Sequence, residues 1–195
     1  MKKNIIFNVF VVLLFFLFSL VKTNSYATEK KNVYKNVEGN KYRLADEYIK
    51  YPEKFIHINS RCRLCMSARS TNAGCVVVKN DKILLVRDSE SGLLGLPGGL
   101  KDHKEISATT AARETLEETG LVVYIDDFIS EFKNGFRLFK CKIIKDTGKT
   151  DGEITEFKYV DKVELGKLLS KNKRKDIRFP HELDLVYSKF EWIVK

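Results

Sequence analysis

Residues 99–121 read Gly-Leu-Lys-Asp-His-Lys-Glu-Ile-Ser-Ala-Thr-Thr-Ala-Ala-Arg-Glu-Thr-Leu-Glu-Glu-Thr-Gly-Leu. This stretch decides the fold. Its composition predicts a helix over 107–119, and Gly120 stands where a left-handed residue ends a helix. At about 100° per residue, Glu114, Glu117 and Glu118 fall within roughly 100° of one another. Ala108, Ala112 and Leu116 lie on the opposite face. The apolar face is suited to packing on a sheet while three carboxylates converge on the other side. Like charges at this spacing repel, so stability alone does not place them there. A hard divalent cation with oxygen ligands removes the repulsion, and Mg²⁺ or Mn²⁺ suits such a set.

The spacing Gly99, five residues, Glu105, seven residues, Arg113-Glu114-Thr115-Leu116-Glu117-Glu118-Thr119-Gly120-Leu121 resembles the Nudix box, G-x5-E-x7-R-E-U-x-E-E-x-G-U, where U is a bulky aliphatic residue. Every charged and glycine position is matched. Thr115 stands where an aliphatic residue is usual, and Lys104 where glycine often precedes the glutamate. Leu96-Pro97-Gly98-Gly99 is similar to the usual loop entry. Glu153-Ile154-Thr155-Glu156-Phe157-Lys158-Tyr159-Val160 is similar to the acidic strand that follows, with Tyr159 where Trp is common. The likeness covers roughly residues 70–190.

The resemblance implies a Nudix fold, a mixed β-sheet sandwiched between helices. It also implies a metal-dependent hydrolase that cleaves a diphosphate bond in a nucleoside diphosphate linked to another moiety. By that analogy Glu114, Glu117 and Glu118 are metal ligands together with the Gly99 carbonyl, and the cofactor is Mg²⁺ or Mn²⁺. Arg113 would anchor the catalytic loop through Glu105, a good lock because an Arg–carboxylate pair fixes geometry. Glu117 and Glu118 are general-base candidates within the box, and Glu156 and Glu153 are candidates in the later strand. Gly98 and Gly99 let the backbone turn tightly into the helix, and with Arg87 they are the expected substrate-binding residues. The alternative is a non-catalytic Nudix-fold module that binds a nucleotide or a protein. Such a module is expected to have lost at least one of the three glutamates, and all are present.

The flanking pattern agrees with a mixed α+β (α/β) domain. Gly74–Lys79 and Lys82–Arg87 are β-branched and apolar and meet at Asn80-Asp81, which predicts a hairpin. Leu121–Lys133 and Phe136–Ile144 meet at Asn134-Gly135, a strong hairpin signal. Phe157–Val160 reads as a short strand and Val163–Ser170 as a short helix. After Pro180, Leu183, Val186, Phe190 and Ile193 recur at helical spacing over 181–194.

Upstream lie two further segments. Lys2 and Lys3 precede the apolar run Ile5–Val21, and a polar stretch follows that ends Ser25-Tyr26-Ala27. That layout predicts a secretory signal peptide over 1–27, or a retained anchor that tethers the chain to a membrane through residues 5–21. The domain is therefore expected outside the cytoplasm, in the periplasm or beyond. Residues 28–69 are polar, Lys-rich and dotted with aromatics, and read as an N-terminal extension to a domain at 70–195.

The four cysteines are Cys62, Cys65, Cys75 and Cys141. In an exported chain the pair Cys62-Arg63-Leu64-Cys65 is expected to be oxidised. The alternative is zinc, with His57 and Cys75 completing four ligands. No second C-x-x-C follows to make the usual structural site. Cys141 reads as a core residue.

The 195 residues carry a formal charge of +9, with 11 Gly and 3 Pro, which excludes a collagen-like chain and argues against wholesale disorder. Cleavage after Ala27 removes three lysines and no acids, so the mature chain stays basic and suited to a small phosphorylated partner such as a nucleotide derivative. Other nucleotide motifs fail. Gly148-Lys149-Thr150 resembles the end of a P-loop, but the earlier glycine position is Ile143. The aromatics show no nucleic-acid-binding pattern.

Overall fold

The computed structural model describes residues 56–150 and 152–195. The expected signal or anchor segment and most of the extension lie outside them. Among the described residues no helix is long and apolar enough to cross a membrane.

The framework is one mixed sheet. Strands β2 (Ala73–Lys79) and β3 (Lys82–Asp88) form the expected hairpin. Asn80 and Asp81 both adopt left-handed backbone, φ 51° and 57°. Two such residues make the tight turn whose twist matches the flanking strands. Two short strands, β4 (Leu94–Gly95) and β5 (Gly98–Gly99), follow in the glycine-rich loop. Next come helix α1 (Ser107–Thr119), then β6 (Leu121–Glu131) and β7 (Arg137–Asp146), an antiparallel pair. Their turn closes where Phe132 N–H donates to the Phe136 carbonyl at 2.9 Å. Strand β8 (Ile154–Val160) pairs with β3. The path across the sheet is completed by β1 (His57–Ile58), which pairs with β6, giving the order β1-β6-β7-β2-β3-β4, with β5 on β2 and β8 on β3. β2 runs parallel to β7 and β1 parallel to β6, so the sheet is mixed.

Period-2 patterning splits the core into two layers. Cys75, Val77, Leu84, Val86, Phe139 and Cys141 pack with Ala108, Ala111 and Ala112 of α1. The intervening Val76, Ile83, Leu85 and Leu138 face the opposite side. There they meet α2 (Lys162–Leu168), α3 (Pro180–Ser188) and α4 (Phe190–Val194) through Leu165, Leu183, Val186, Phe190 and Ile193. Helix α2 begins at a capping box in which Asp161 accepts from Glu164 N–H at 2.8 Å and the Glu164 side chain reaches back. The result is a sheet between helices.

Several details differ from the sequence reading. The single helix expected over 181–194 is two, interrupted at Lys189. β8 starts three residues before the expected Phe157. Residues 57–58, read as extension, are a sheet strand, and Cys62 and Cys65 beyond them are buried against the α1 layer. Cys62 and Cys65 form a disulfide, and Cys75 is bonded to Cys141 across the parallel strands β2 and β7. A zinc site that draws on Cys75 is therefore not formed.

Candidate active site

Helix α1 presents its carboxylates as its pattern requires. Ala108, Ala112 and Leu116 are at most 2% exposed, which fixes the helix on the sheet. Thr115, at the usual aliphatic position, is fully buried; its hydroxyl donates to the Ala111 carbonyl at 2.7 Å, so the polar atom is satisfied. Gly120 closes the helix with φ 71°, its N–H donating to the Leu116 carbonyl.

The glycine loop is held against this helix. At Gly98 φ is 154°, and a Cβ there would meet Gly74 Cα at 2.5 Å and the Ala73 carbonyl oxygen at 2.7 Å. No side chain fits. A Cβ at Gly99 would lie 2.5 Å from Glu114 Oε2, so the missing side chain is what lets that carboxylate reach the loop backbone. Glu118, only 5% exposed, accepts from Gly98 N–H at 2.9 Å.

Arg113 ties loop and helix together. Its side chain is 8% exposed. Nε and Nη2 donate to the two oxygens of Glu105 at 3.0 and 3.1 Å, a fork-to-fork pair. Nη2 also donates to the Leu100 carbonyl at 2.7 Å and Nη1 to Glu117 at 2.8 Å. Glu114 completes the cluster at 2.9 Å. Burial alone would lower the guanidinium pKa, but Glu105, Glu114 and Glu117 outweigh it and raise the value.

Glu114, Glu117 and Glu118 line one cavity of about 500 Å³ together with Gly98, Gly99 and Arg113. Asp88, Glu90 and Glu153 add further carboxylates to its lining, and Arg178 adds a cation. Burial, with help from Glu117 and Glu105 and against Arg113, pushes the Glu114 carboxyl up to about 7. The cavity wall carries six carboxylates and two guanidinium groups. The all-oxygen donor set of Glu114, Glu117 and Glu118 fits Mg²⁺ or Mn²⁺ by hardness and charge.

The structure brings together Glu105, Arg113, Glu114, Glu117, Glu118, Gly98 and Gly99. It does not bring Arg87 or Glu156 to the cavity wall among the described residues. Arg87 and Glu156 are directly opposite on β3 and β8, and Arg87 Nε donates to Glu156 at 2.6 Å. Arg87 Nη1 is spent on the Gly92 carbonyl at 2.7 Å. The later-strand carboxylate that lines the cavity is Glu153. Asp88 and Arg178 were missed. Asp88 directly follows the strand end that was considered, whereas Arg178 lies in no motif.

A family model described as the NUDIX domain matches residues 68–181. The chain is 35% identical over 88 residues to a MutT-like protein of Streptomyces ambofaciens, covering 43% of this chain. It spans 57% of that relative's length. Among solved structures, a Nudix hydrolase from Nitrosomonas europaea superposes with a TM-score of 0.52 at 21% identity, covering 64% of this chain and 90% of that one. A UDP-X diphosphatase superposes at 0.51 with 17% identity, covering 65% and 64%. These two likenesses concern the fold. The family model takes in more than half of the chain, from the turn before β2 to the start of α3 and across the whole carboxylate cavity, and by that match the chain belongs to the Nudix family.

Proposed function

We propose that this protein is a metal-dependent hydrolase that cleaves a diphosphate bond in a small nucleotide derivative. One observation carries the reading: Glu114, Glu117 and Glu118 converge with the Gly98-Gly99 turn on one cavity, and Arg113 locks that geometry. Glu114, Glu117, Glu118 and the Gly99 carbonyl would hold Mg²⁺ or Mn²⁺. When bound, the metal neutralises the diphosphate, stabilises charge on the leaving group and lowers the pKa of an attacking water.

The chain's own residues do the rest. Arg113 keeps Glu117 and Glu114 oriented and holds the Leu100 carbonyl, so the loop does not have to be ordered at the moment of reaction. Gly98 N–H fixes the Glu118 carboxylate. The base that takes the water proton is a carboxylate on the cavity wall: Glu117 or Glu118 from the helix, or Glu153 from the loop before β8. Glu156, engaged by Arg87, is the weaker choice.

Export belongs to the same proposal. The layout of residues 1–27 supports it, as does the use of all four cysteines in disulfides. Fractionation that recovers the full-length chain in the cytosol contradicts it.

The test of the activity is a panel of nucleoside diphosphate derivatives incubated with the purified protein, with and without Mg²⁺. The expected result is cleavage of at least one member only with metal. Metal-independent cleavage, or none across the panel, rejects the reading.

A further inference from the structure

The carboxylate cavity poses a problem for an anionic substrate. Its wall carries Asp88, Glu90, Glu114, Glu117, Glu118 and Glu153. Among the described lining residues the cations are Arg113 and Arg178. Arg113 is 8% exposed and committed to Glu105, Glu117 and the Leu100 carbonyl. Four of its five N–H donors are taken by these partners, and the Glu114 carboxylate stands 2.9 Å from Nη2. Arg87, the basic residue the sequence suggests for substrate, donates to Glu156 and the Gly92 carbonyl and is not among the residues that line the cavity.

Arg178 is in the opposite condition. Its side chain is 41% exposed. Its nearest carboxylate, Asp88, is 3.7 Å from Nη1, an ion-pair distance beyond that of a hydrogen bond. The Phe179 ring lies 5.3 Å from the guanidinium carbon and offers no lone pair to saturate N–H donors. Yet the residue is positioned. Its backbone N–H donates to the Leu94 carbonyl at 2.8 Å, and the preceding Ile177 bridges to Leu94 and is buried. Asp88 is itself fixed by the Ser91 N–H and hydroxyl at 2.6 and 2.5 Å, and those bonds hold its carboxyl below the usual range. An aspartate fixed by Ser91 thus faces, at ion-pair distance, a guanidinium on the cavity wall whose donors make no hydrogen bond among the described residues.

We infer that Arg178 is the substrate-binding cation of this site, gripping a phosphate of the diphosphate, with Asp88 as its positioning residue. The inference rests on the proposed diphosphate chemistry. A grip of this kind acts on bound substrate as well as on the transition state. Its loss therefore appears in KM more than in kcat.

The test uses the whole protein and inorganic pyrophosphate as the probe. Calorimetric titration of pyrophosphate in the presence of Mn²⁺ is run on wild type, Arg178→Ala and Arg178→Lys. Mn²⁺ affinity is measured separately by electron paramagnetic resonance. Arg178→Ala is expected to weaken pyrophosphate binding by about ten- to a hundredfold, the worth of a hydrogen bond to a charged group. Mn²⁺ affinity stays as in wild type. Arg178→Lys recovers part of the loss, because it returns the charge without the planar fork. With a cleavable substrate the alanine variant raises KM by a similar factor and changes kcat by less than about threefold. Where the alanine variant does not fold, Arg178→Gln is read in the same assays.

Pyrophosphate binding within about twofold of wild type overturns the inference, as does a matching fall in Mn²⁺ affinity, which would mark Arg178 as a support of the metal site. Failure of the wild type to bind pyrophosphate with Mn²⁺ overturns it too. If the wild type binds pyrophosphate through Arg178 but cleaves no panel member, the anion site stands and the proposed reaction falls. If the wild type cleaves and Arg178→Ala is indistinguishable from it, the reaction stands and Arg178 has no part in it.

Discussion

Replacing Arg113 by lysine keeps a positive charge in the centre of the site and removes its shape. The guanidinium makes four hydrogen bonds, two to Glu105 and one each to Leu100 and Glu117, from a side chain 8% exposed. An ammonium is a point charge with three donors and cannot span the Glu105 fork while reaching the other two. At least two of the four bonds are lost, each worth about 1.5–3 kcal/mol to a charged group, and the retained charge offsets part of that. The expected net cost is about 2–4 kcal/mol, in keeping with breaking a buried ion pair only partly. At roughly 3 °C per kcal/mol for a domain of this size, Tm falls by about 6–12 °C. Differential scanning calorimetry in EDTA reads this without any contribution from metal. Activity falls as well, because Glu117 and the Leu100 carbonyl lose their common anchor. A variant that melts within about 2 °C of wild type refutes the reasoning that this arginine holds the loop to the helix.

Two other outcomes follow from buried groups away from the cluster. Glu182 is 4% exposed, and burial, against Arg178, pushes its carboxyl up to about 7. The folded state therefore keeps a proton that the unfolded chain gives up near 4.5. Stability from this group is full below that value and is lost as pH rises through about 7. Glu182→Gln should leave Tm unchanged near pH 4 and add up to about 3 kcal/mol at pH 8. Parallel Tm–pH curves for the two proteins contradict this. Cys75→Ser with Cys141→Ser removes the bond that crosses β2 and β7 beneath α1. Removing a native disulfide costs about 2–5 kcal/mol, so the urea midpoint should drop, and the m-value should rise because the uncrosslinked unfolded chain exposes more surface. An unchanged midpoint means the bond contributes nothing to the folded domain.

The parts of this molecule that were legible in sequence are those fixed by local rules. Asn80-Asp81 and Asn134-Gly135 announce their turns because few residues tolerate left-handed backbone, and both hairpins form. Helix α1 has the bounds that its pattern gives, 107–119. What was illegible is non-local. Arg87 and Glu156 are 69 residues apart, and only the register of β3 on β8 makes them partners. Cys75 and Cys141 meet because β2 and β7 run side by side, 66 residues apart in sequence. Strand β1 is two residues long, too short to show a pattern, and owes its existence to the open edge of β6. The break at Lys189 leaves Phe190 and Ile193 buried beside Leu183 and Val186, so the helical spacing of apolar residues survives a break it does not reveal. Arg178 reaches the cavity through a loop docked on β4, a placement no motif encodes.

The central claim is that the α1 carboxylates are a catalytic metal site, and Glu117→Gln tests it most directly. Glutamine keeps the size and an oxygen that can still accept from Arg113 Nη1, which lies 2.8 Å from the native carboxylate. Weakening that bond is offset by relief of the repulsion that Glu117 exerts on Glu114. The metal-free variant is therefore expected to melt within about 3 °C of wild type. Steady-state hydrolysis of the preferred diphosphate substrate is measured over a Mg²⁺ titration, with melting recorded on the same samples in EDTA. The account predicts a fall in kcat/KM of at least about a hundredfold, some 2.7 kcal/mol of lost transition-state stabilisation, in a protein that is still folded. A folded variant with near wild-type kcat/KM contradicts it.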